Sequence, residues 1–377
     1  DTYKDGETVK DVDGYQWADY KENNSYKGFR FNQVASPNVT WEIATKQDIG
    51  LDLAIFNDKF IINADYFYEK RTGIYMERKY LPQMVGLESN PKANVGSVRS
   101  EGFDGRFQFR HRVNKVNLTV RGNITYSKNK VLEKDEAYNV YPYQNEKGYR
   151  VGQSKGLIAL GLFKDYDDIR SSPKQTFGTY QPGDIKYMDV NGDGVINDAD
   201  IVAIGATRRP NLIYGLGASA NWKGLDFSVH FQGAGKSTFF LNGKSMYAFK
   251  EAQWGTILKD AMGSNRWIAA DISGDPSTED PNASYPRLSF GGNANNYRNS
   301  TFWLRNGQYI RLKTIDVGYS LPKNIVNKLH CNNIRVFVVG SNLITWSDFK
   351  LWDPELASST GEEYPLVKSI SFGLSIK

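Results

Sequence analysis

Cysteine and histidine are nearly missing from this chain: its 377 residues include one cysteine, Cys331, and three histidines. A single cysteine closes no internal disulfide, and so few thiols and imidazoles leave no zinc cluster. No apolar run reaches the roughly 18 residues of a membrane-crossing helix, which excludes a helical membrane protein. An excess of one charge is lacking too. Against 47 Lys and Arg stand 42 Asp and Glu, interspersed, for a formal net charge of +5, too mild a balance to argue for nucleic acid. The first residues, "DTYKDGETVKDVDG", are polar and carry no signal-peptide pattern, as expected of a mature soluble protein or a piece of a longer one.

Aromatic side chains and glycine are what the chain has in quantity, with 23 Tyr, 20 Phe, 8 Trp and 35 Gly. A β-rich membrane protein remains compatible with this composition, because a barrel strand alternates apolar and polar positions and averages out as hydrophilic.

Period-two alternation recurs along the chain. Trp41, Ile43, Ile49, Leu51, Leu53 and Ile55 share one strand face, with Glu42, Lys46, Asp48 and Asp52 on the other. After Asn57-Asp58, a second strand carries Phe60, Ile62, Ala64, Tyr66 and Tyr68, so the pair reads as a tight hairpin. Phe107 and Phe109 lead through Asn114-Lys115 into Val116, Leu118, Val120, Ile124 and Tyr126. Leu212 to Trp222 turns at Lys223-Gly224 into Leu225, Phe227, Val229 and Phe231. Ile315, Val317 and Tyr319 precede Ile334, Val336 and Val338, and Ile370, Phe372, Leu374 and Ile376 close the series. About nine strands result, most near the ~10 residues that a tilted strand needs to cross a bilayer.

The connections alternate in length. Those near 57, 114, 223 and 322–333 are short, and those near 70–102, 128–210, 236–305 and 345–367 are long. Structureless stretches of that size are uncommon in compact soluble domains, whereas outer-membrane barrels pair short periplasmic turns with long extracellular loops. Tyr66, Tyr68, Tyr126, Trp222 and Tyr319, near the ends of the apolar faces, fit interfacial girdles. The alternation also suits a half-exposed antiparallel sheet of a soluble protein, and that reading stays open.

The segment "DVNGDGVINDAD" has the spacing of a calcium loop. Asp189, Asn191, Asp193 and Asp200 supply oxygens at positions one, three, five and twelve, Val195 a carbonyl at seven, and Asn197 stands at nine. Gly194 takes the sixth position, where the backbone turns sharply. The expectation is a structural calcium ion bracing a long loop. A regulatory helix-loop-helix site is disfavoured, since "GDIKYM" before the loop and "IVAIGATRRPNLIYG" after it read as strands; an ion-free Asn/Asp/Gly turn is the bland alternative.

Other motifs carry less. "HFQGAGKSTFF" lacks the first glycine of a phosphate loop, since His230 stands there, and no helix pattern follows. The carboxylates of "KDYDD" and Glu362-Glu363 form no selected acid and base pair, so no catalytic residue is assigned and the chain is not read as an enzyme. Trp254, Trp267, Tyr285, Tyr297, Phe302 and Trp352 lie among Asn, Asp, Arg and Gly in the long loops, a mixture suited to contacting a sugar, a peptide or a partner protein, or to packing the loops themselves.

Three blocks carry a family resemblance. They are "SPNVTWEIATKQDIGLDLAIFNDKFIINADYFYEKRTGI" (36–74), "PGDIKYMDVNGDGVINDADIVAIGATRRPNLIYGLGASANWKGLDFSVHFQG" (182–233), and "STFWLRNGQYIRLKTIDVGYSLP" (300–322) with "IRVFVVGSNLITWSDF" (334–349). The chain resembles the SusC/RagA-type TonB-dependent transporters of the Gram-negative outer membrane. That resemblance implies an all-β fold, in which residues 1–377 form the last nine or ten strands of a 22-stranded transmembrane antiparallel barrel, the N-terminal plug and first strands being absent. It also implies partners: the remaining N-terminal part of the same transporter, TonB acting through that part, a SusD-like surface lipoprotein, the lipid bilayer, and a glycan or peptide substrate. The chain's ending, Ser375-Ile376-Lys377, departs from the terminal aromatic common in barrels. The alternative is a secreted, calcium-stabilised β-rich glycan-binding protein. The two readings differ in whether the apolar strand faces point outward or into a closed core.

Overall fold

The computed structural model describes residues 36, 38–81, 84 and 89–377. Nine strands form one sheet in chain order: β1 (Ile43–Ile55), β2 (Phe60–Glu77), β3 (Lys92–Val113), β4 (Val116–Glu133), β5 (Leu212–Trp222), β6 (Leu225–Gly235), β7 (Tyr309–Ser320), β8 (Ile334–Trp346) and β9 (Ser369–Ile376). Neighbours in sequence are neighbours in space, so each connection needs only to reverse the chain, and the sheet is an antiparallel meander.

The short turns fall at the positions read from the sequence. Asn57 and Asp58 take φ of 56° and 59°, Asn114 takes 53°, and Lys223-Gly224 take 48° and 89°. Tight hairpins need this left-handed backbone, which Asn, Asp and Gly tolerate. Between β7 and β8 the link is the short helix Lys323–Lys328, pinned by buried Val326.

Strand lengths differ from the sequence reading. The sequence pattern predicts loop over 70–102, yet β2 runs for 18 residues to Glu77, β3 spans 22 from Lys92, and β4 continues to Glu133. Hydrophobic alternation is demanded only where one face meets an apolar medium, so a strand that continues into water loses its sequence signature. Residues 1–35 lie outside the described residues.

Two compact units are present. The smaller comprises the described residues within 1–46, 69–99 and 130–148. It is held by polar contacts: Arg71 pairs with Glu69 at 2.9 Å and Glu42 at 3.3 Å, Arg78 with Asp135 at 2.8 Å, and Asn94 Nδ2 donates to the Gly73 carbonyl at 2.6 Å. The larger comprises residues 47–68, 100–129 and 149–377.

Within the larger unit β5 pairs with β4 and β6 over its whole length, Leu216 opposing Gly122 and Phe231. One face of the sheet is apolar and bare: Leu118, Ile124, Leu216, Trp222, Leu225, Phe227, Val317, Tyr319, Val336, Ile370, Phe372 and Leu374 are all exposed, Phe372 by 81%. On the opposite face charges pair across strands. Arg335 of β8 donates to Asp316 of β7 (2.6 Å) and reaches two strands away to Asp226 of β6 (3.0 Å from Nε). It does so by lying over Gly318, where a Cβ would overlap the guanidinium.

The tightly packed interior is elsewhere. The largest fully buried apolar side chains, Trp303, Tyr187, Phe163, Leu157, Ile185, Ile196 and Leu241, come from the loops between β4 and β5 and between β6 and β7. A soluble sheet protein would bury its strand face first, because that face offers the largest contiguous apolar area. Here loops are packed and strands are bare.

Candidate functional site

The long loops of the larger unit build one layer with its own core. Leu157, Leu162, Ile185, Tyr187, Trp267, Tyr285, Trp303 and Phe349 lie in one apolar cluster. Aromatic contacts join the connections: Tyr247 stacks on Tyr297 with centroids 4.2 Å apart, Trp303 meets Tyr247 edge-on at 5.3 Å, and Phe349 meets Phe239 at 5.1 Å and Trp352 at 4.9 Å. Burial, with Tyr297 beside it, raises the Tyr247 phenol to about 12. Burial and the hydrogen bond to Asp260 likewise raise Tyr285 to about 12.

A buried carboxylate organises the middle of this layer. Asp184 is fully buried, and burial pushes its carboxyl up against the pull of its donors. Those donors are Gln181 N at 2.9 Å, Asn293 Nδ2 at 2.9 Å, Asn296 Nδ2 at 2.8 Å and Arg287 Nε at 2.9 Å. Asn295, also buried, binds the Ile185 carbonyl and Gln175, while Tyr187 donates to the Asn295 carbonyl. The segment 293–296 thus threads residues 175–187 through side-chain amides, each buried polar group satisfied by another. Sequence reasoning missed this network; its one signal is the run "NANN", whose asparagines also fit an ordinary loop.

The calcium-like loop closes on itself. Asp189 Oδ1 and Oδ2 accept from Gly192 N (2.7 Å) and Gly194 N (2.8 Å), with φ of 74° and 81° at the two glycines. Asn191 accepts from Asp193 N, Asp193 from Val195 N, and Asn197 from Ala199 N. Asp200 is fully buried, its oxygens accepting Val190 N (2.8 Å) and Asn197 N (2.9 Å), so it knots the two ends of the loop. Short strands flank it, Ile185–Tyr187 before and Val202–Thr207 after, as expected from the sequence. No group of three or more His, Cys, Asp or Glu placed to hold a metal ion occurs among the described residues.

The loop aromatics divide. Trp254 is 80% exposed. Tyr297 and Trp352 are half-buried and pack within the layer. Trp267 and Tyr285 are only 5% and 6% exposed, which corrects their expected role as contact residues. Trp267 lies over Gly183, at φ +84°, where any Cβ would overlap its ring. Large aromatics are the most rewarding groups for a loop layer to bury, so they became its core. A cleft of about 650 Å³ opens beside the short helix Tyr166–Ser171, lined by Leu160, Lys164, Asp168, Lys186 and Pro281. Burial works to raise the Asp168 carboxyl, but the Lys186 ammonium 2.7 Å away, the Lys164 N–H and the Ser172 hydroxyl together hold the group below its ordinary range.

At the base of the layer Arg311 of β7 is fully buried, bonded to Thr345 (3.0 Å), Glu355 (2.8 Å) and both oxygens of Asp353.

An antiparallel meander with a bare apolar face, a charged opposite face and a packed loop layer is the architecture of a transmembrane β-barrel wall. No protein-family model matches the chain. It is 28% identical over 377 aligned residues to TonB-dependent receptor P26 of Formosa agariphila, covering 93% of this chain and 36% of that protein. To the TonB-dependent receptor SusC of Bacteroides thetaiotaomicron it is 20% identical, covering 96% of this chain and 34% of the relative. In fold it is similar to the RagAB peptide transporter, with a TM-score of 0.67 at 19% identity over 98% of this chain and 38% of the other. The chain is thus similar in sequence to TonB-dependent receptors, SusC among them, and in fold to RagAB, and it spans about a third of the length of the curated relatives it matches. These relatives are named as receptors and transporters, not enzymes.

Proposed function

We propose that the chain is the C-terminal wall and outer-loop portion of an outer-membrane TonB-dependent transporter that imports large nutrient oligomers, glycans or peptides, with a SusD-like surface lipoprotein as its lid. The observation that carries this reading is the inverted burial: the strands expose their apolar face while the loops hold the core. Lipid covers such a face, and a soluble glycan-binding protein would not leave it bare. The loop layer faces the cell exterior and presents exposed Trp254 to lid or substrate. Its rigid core keeps that surface in one shape, which lowers the ordering cost of binding.

In the same reading a calcium ion braces residues 189–200. Asp189, Asn191, Asp193 and Asn197 present side-chain oxygens around one tight turn, Val195 adds its carbonyl, and Asp200 closes the loop from behind. The ion has a structural role there.

Deletion of the receptor in its own bacterium tests the transport reading. Growth on the oligomeric nutrient is lost while growth on the corresponding monomer is kept, and TonB inactivation reproduces the loss. Undiminished growth on every oligomer tried contradicts it.

A further inference from the structure

The middle of the sheet's charged face holds cations that the sheet leaves without a counter-charge. His230 of β6 stands opposite Gly217 of β5, and Gly217 stands opposite Arg121 of β4. Both side chains lean over the glycine: His230 Nδ1 and Arg121 Nε lie 3.1 and 3.3 Å from where its Cβ would be. On the other flank of His230 the register of β7 slips by one residue, so that Lys313 and Thr314 together face the imidazole. A bulge of this kind re-aims a side chain. The Lys313 ammonium, like the Arg121 guanidinium, acts electrostatically on His230.

Neither Arg121 nor Lys313 makes a side-chain hydrogen bond or ion pair among the described residues, and His230 Nδ1 is buried with no partner. Nearer the short turns, by contrast, Arg335 takes up both Asp226 and Asp316. Two cations and a buried ring nitrogen converging on one glycine are unfavourable by themselves, through like-charge repulsion and an unmet hydrogen bond. A carboxylate relieves all three, accepting from the guanidinium fork, the ammonium and the imidazole N–H.

A carboxylate fixed in place suits this site better than one in transit. A passing anion would leave the imidazole nitrogen unpartnered for most of the time. Asp65 and Asp104, neighbours on the same face of β2 and β3, would also repel an anionic chain drawn along the wall. A folded surface can carry both signs. This chain covers 36% of one relative and 34% of another, so most of such a receptor lies outside it, and large outer-membrane transporters hold a plug in the lumen.

We propose that Arg121, Lys313 and His230 form an anion site on the lumenal wall that clasps one carboxylate of the receptor's own N-terminal part, the plug. The proposal rests on the sheet being a barrel wall with this face inward.

The test treats the whole receptor carrying this chain, inserted in liposomes and re-extracted in mild detergent, with a water-soluble carbodiimide. The reagent takes up the water lost as an ammonium and a touching carboxylate join in an amide, and peptide mass spectrometry identifies the joined residues. The pairs Lys128–Glu101 (2.9 Å) and Lys186–Asp168 (2.7 Å) serve as internal controls. Lys313 should be joined to an Asp or Glu of the N-terminal part. Arg121→Gln should slow that adduct roughly tenfold, one charge-assisted hydrogen bond's worth, and Arg121→Lys should restore most of it. A Lys313 adduct with a carboxylate of the sheet or its loops, such as Asp316, overturns the proposal. So does an adduct that appears only with an added acidic oligomer, an unchanged rate in Arg121→Gln, or no Lys313 adduct while both control pairs react. Failure of the wild type to enter liposomes overturns the wall reading and this inference with it, whereas the other contrary results overturn only the latter.

Discussion

Arg311 and Asp353 join the sheet to its last loop: the fully buried guanidinium of β7 donates to both carboxylate oxygens, at 2.5 and 2.7 Å, and the same carboxylate caps the turn Pro354–Leu356. Removing Asp353 leaves the buried guanidinium with Glu355 and Thr345 only, so two charge-assisted hydrogen bonds are lost at a cost of about 1.5–3 kcal/mol each, while the charge keeps one carboxylate partner. Asp353→Ala should therefore free the 345–367 connection while the sheet stays assembled. Hydrogen exchange over that connection should rise by orders of magnitude, with β7 and β8 protected as before.

Alkaline pH should loosen the loop layer. Tyr247 and Tyr285 hold their protons up to about 12, against an ordinary phenol value of 10.0. Folded-state values above the unfolded ones give a contribution that is complete below pH 10 and lost as pH rises from 10 through about 12. Near-ultraviolet circular dichroism against pH, alongside phenolate absorbance, should show one coupled transition. Phenylalanine at both positions should remove this pH dependence.

Trp254 and Trp267 should behave oppositely. Trp254→Ala removes an exposed ring and should leave thermal stability unchanged while weakening lid or substrate binding. Trp267→Ala empties a buried site over Gly183 and should destabilise the loop layer by about 3–5 kcal/mol. Melting curves and lid affinity, measured on both variants, separate the roles.

Calcium should bind the 189–200 loop and raise its resistance to proteolysis, and Asp189→Ala with Asp193→Ala should abolish both effects. Asp200→Asn should disturb the loop even without the ion, because Asp200 accepts two backbone amides from inside the layer. Calorimetric titration with calcium that detects no heat on the wild type, together with unchanged proteolysis, contradicts the ion.

The sheet was legible because each of its strands obeys a local rule. Asn57, Asn114 and Lys223-Gly224 are turn residues between alternating runs, and a period of two survives wherever one face meets lipid. The extensions of β2 and β3 to Glu77 and back to Lys92 were not legible, since their residues, such as Lys70-Arg71-Thr72-Gly73 and Lys92-Ala93-Asn94, do not alternate apolar with polar. The loop core was the larger miss. Trp267, Tyr285 and Trp303 become interior through partners far along the chain, such as Gly183 for Trp267, and Asp184 gains meaning only beside Asn293, Asn296 and Arg287. Such contacts leave no periodic trace. The loop 189–200 sits between these cases, its spacing visible and its self-closure by Asp200 visible only in three dimensions.

The apolar face can be probed directly. A lysine at Phe372 places a charge on the lipid side of β9 and should cost about 2–4 kcal/mol if the site is near mid-membrane, reducing insertion while Ser371→Lys is tolerated.

The central claim, that the bare strand face is covered by lipid, is tested most directly by single cysteines at positions 369–376 of β9 in a receptor whose Cys331 is replaced by serine. Each is labelled with a fluorophore in liposomes and challenged with a lipid-dissolved quencher. Quenching should alternate, strong at 370, 372, 374 and 376 and weak at 369, 371, 373 and 375. Uniform quenching, or alternation of the opposite phase, would contradict the account.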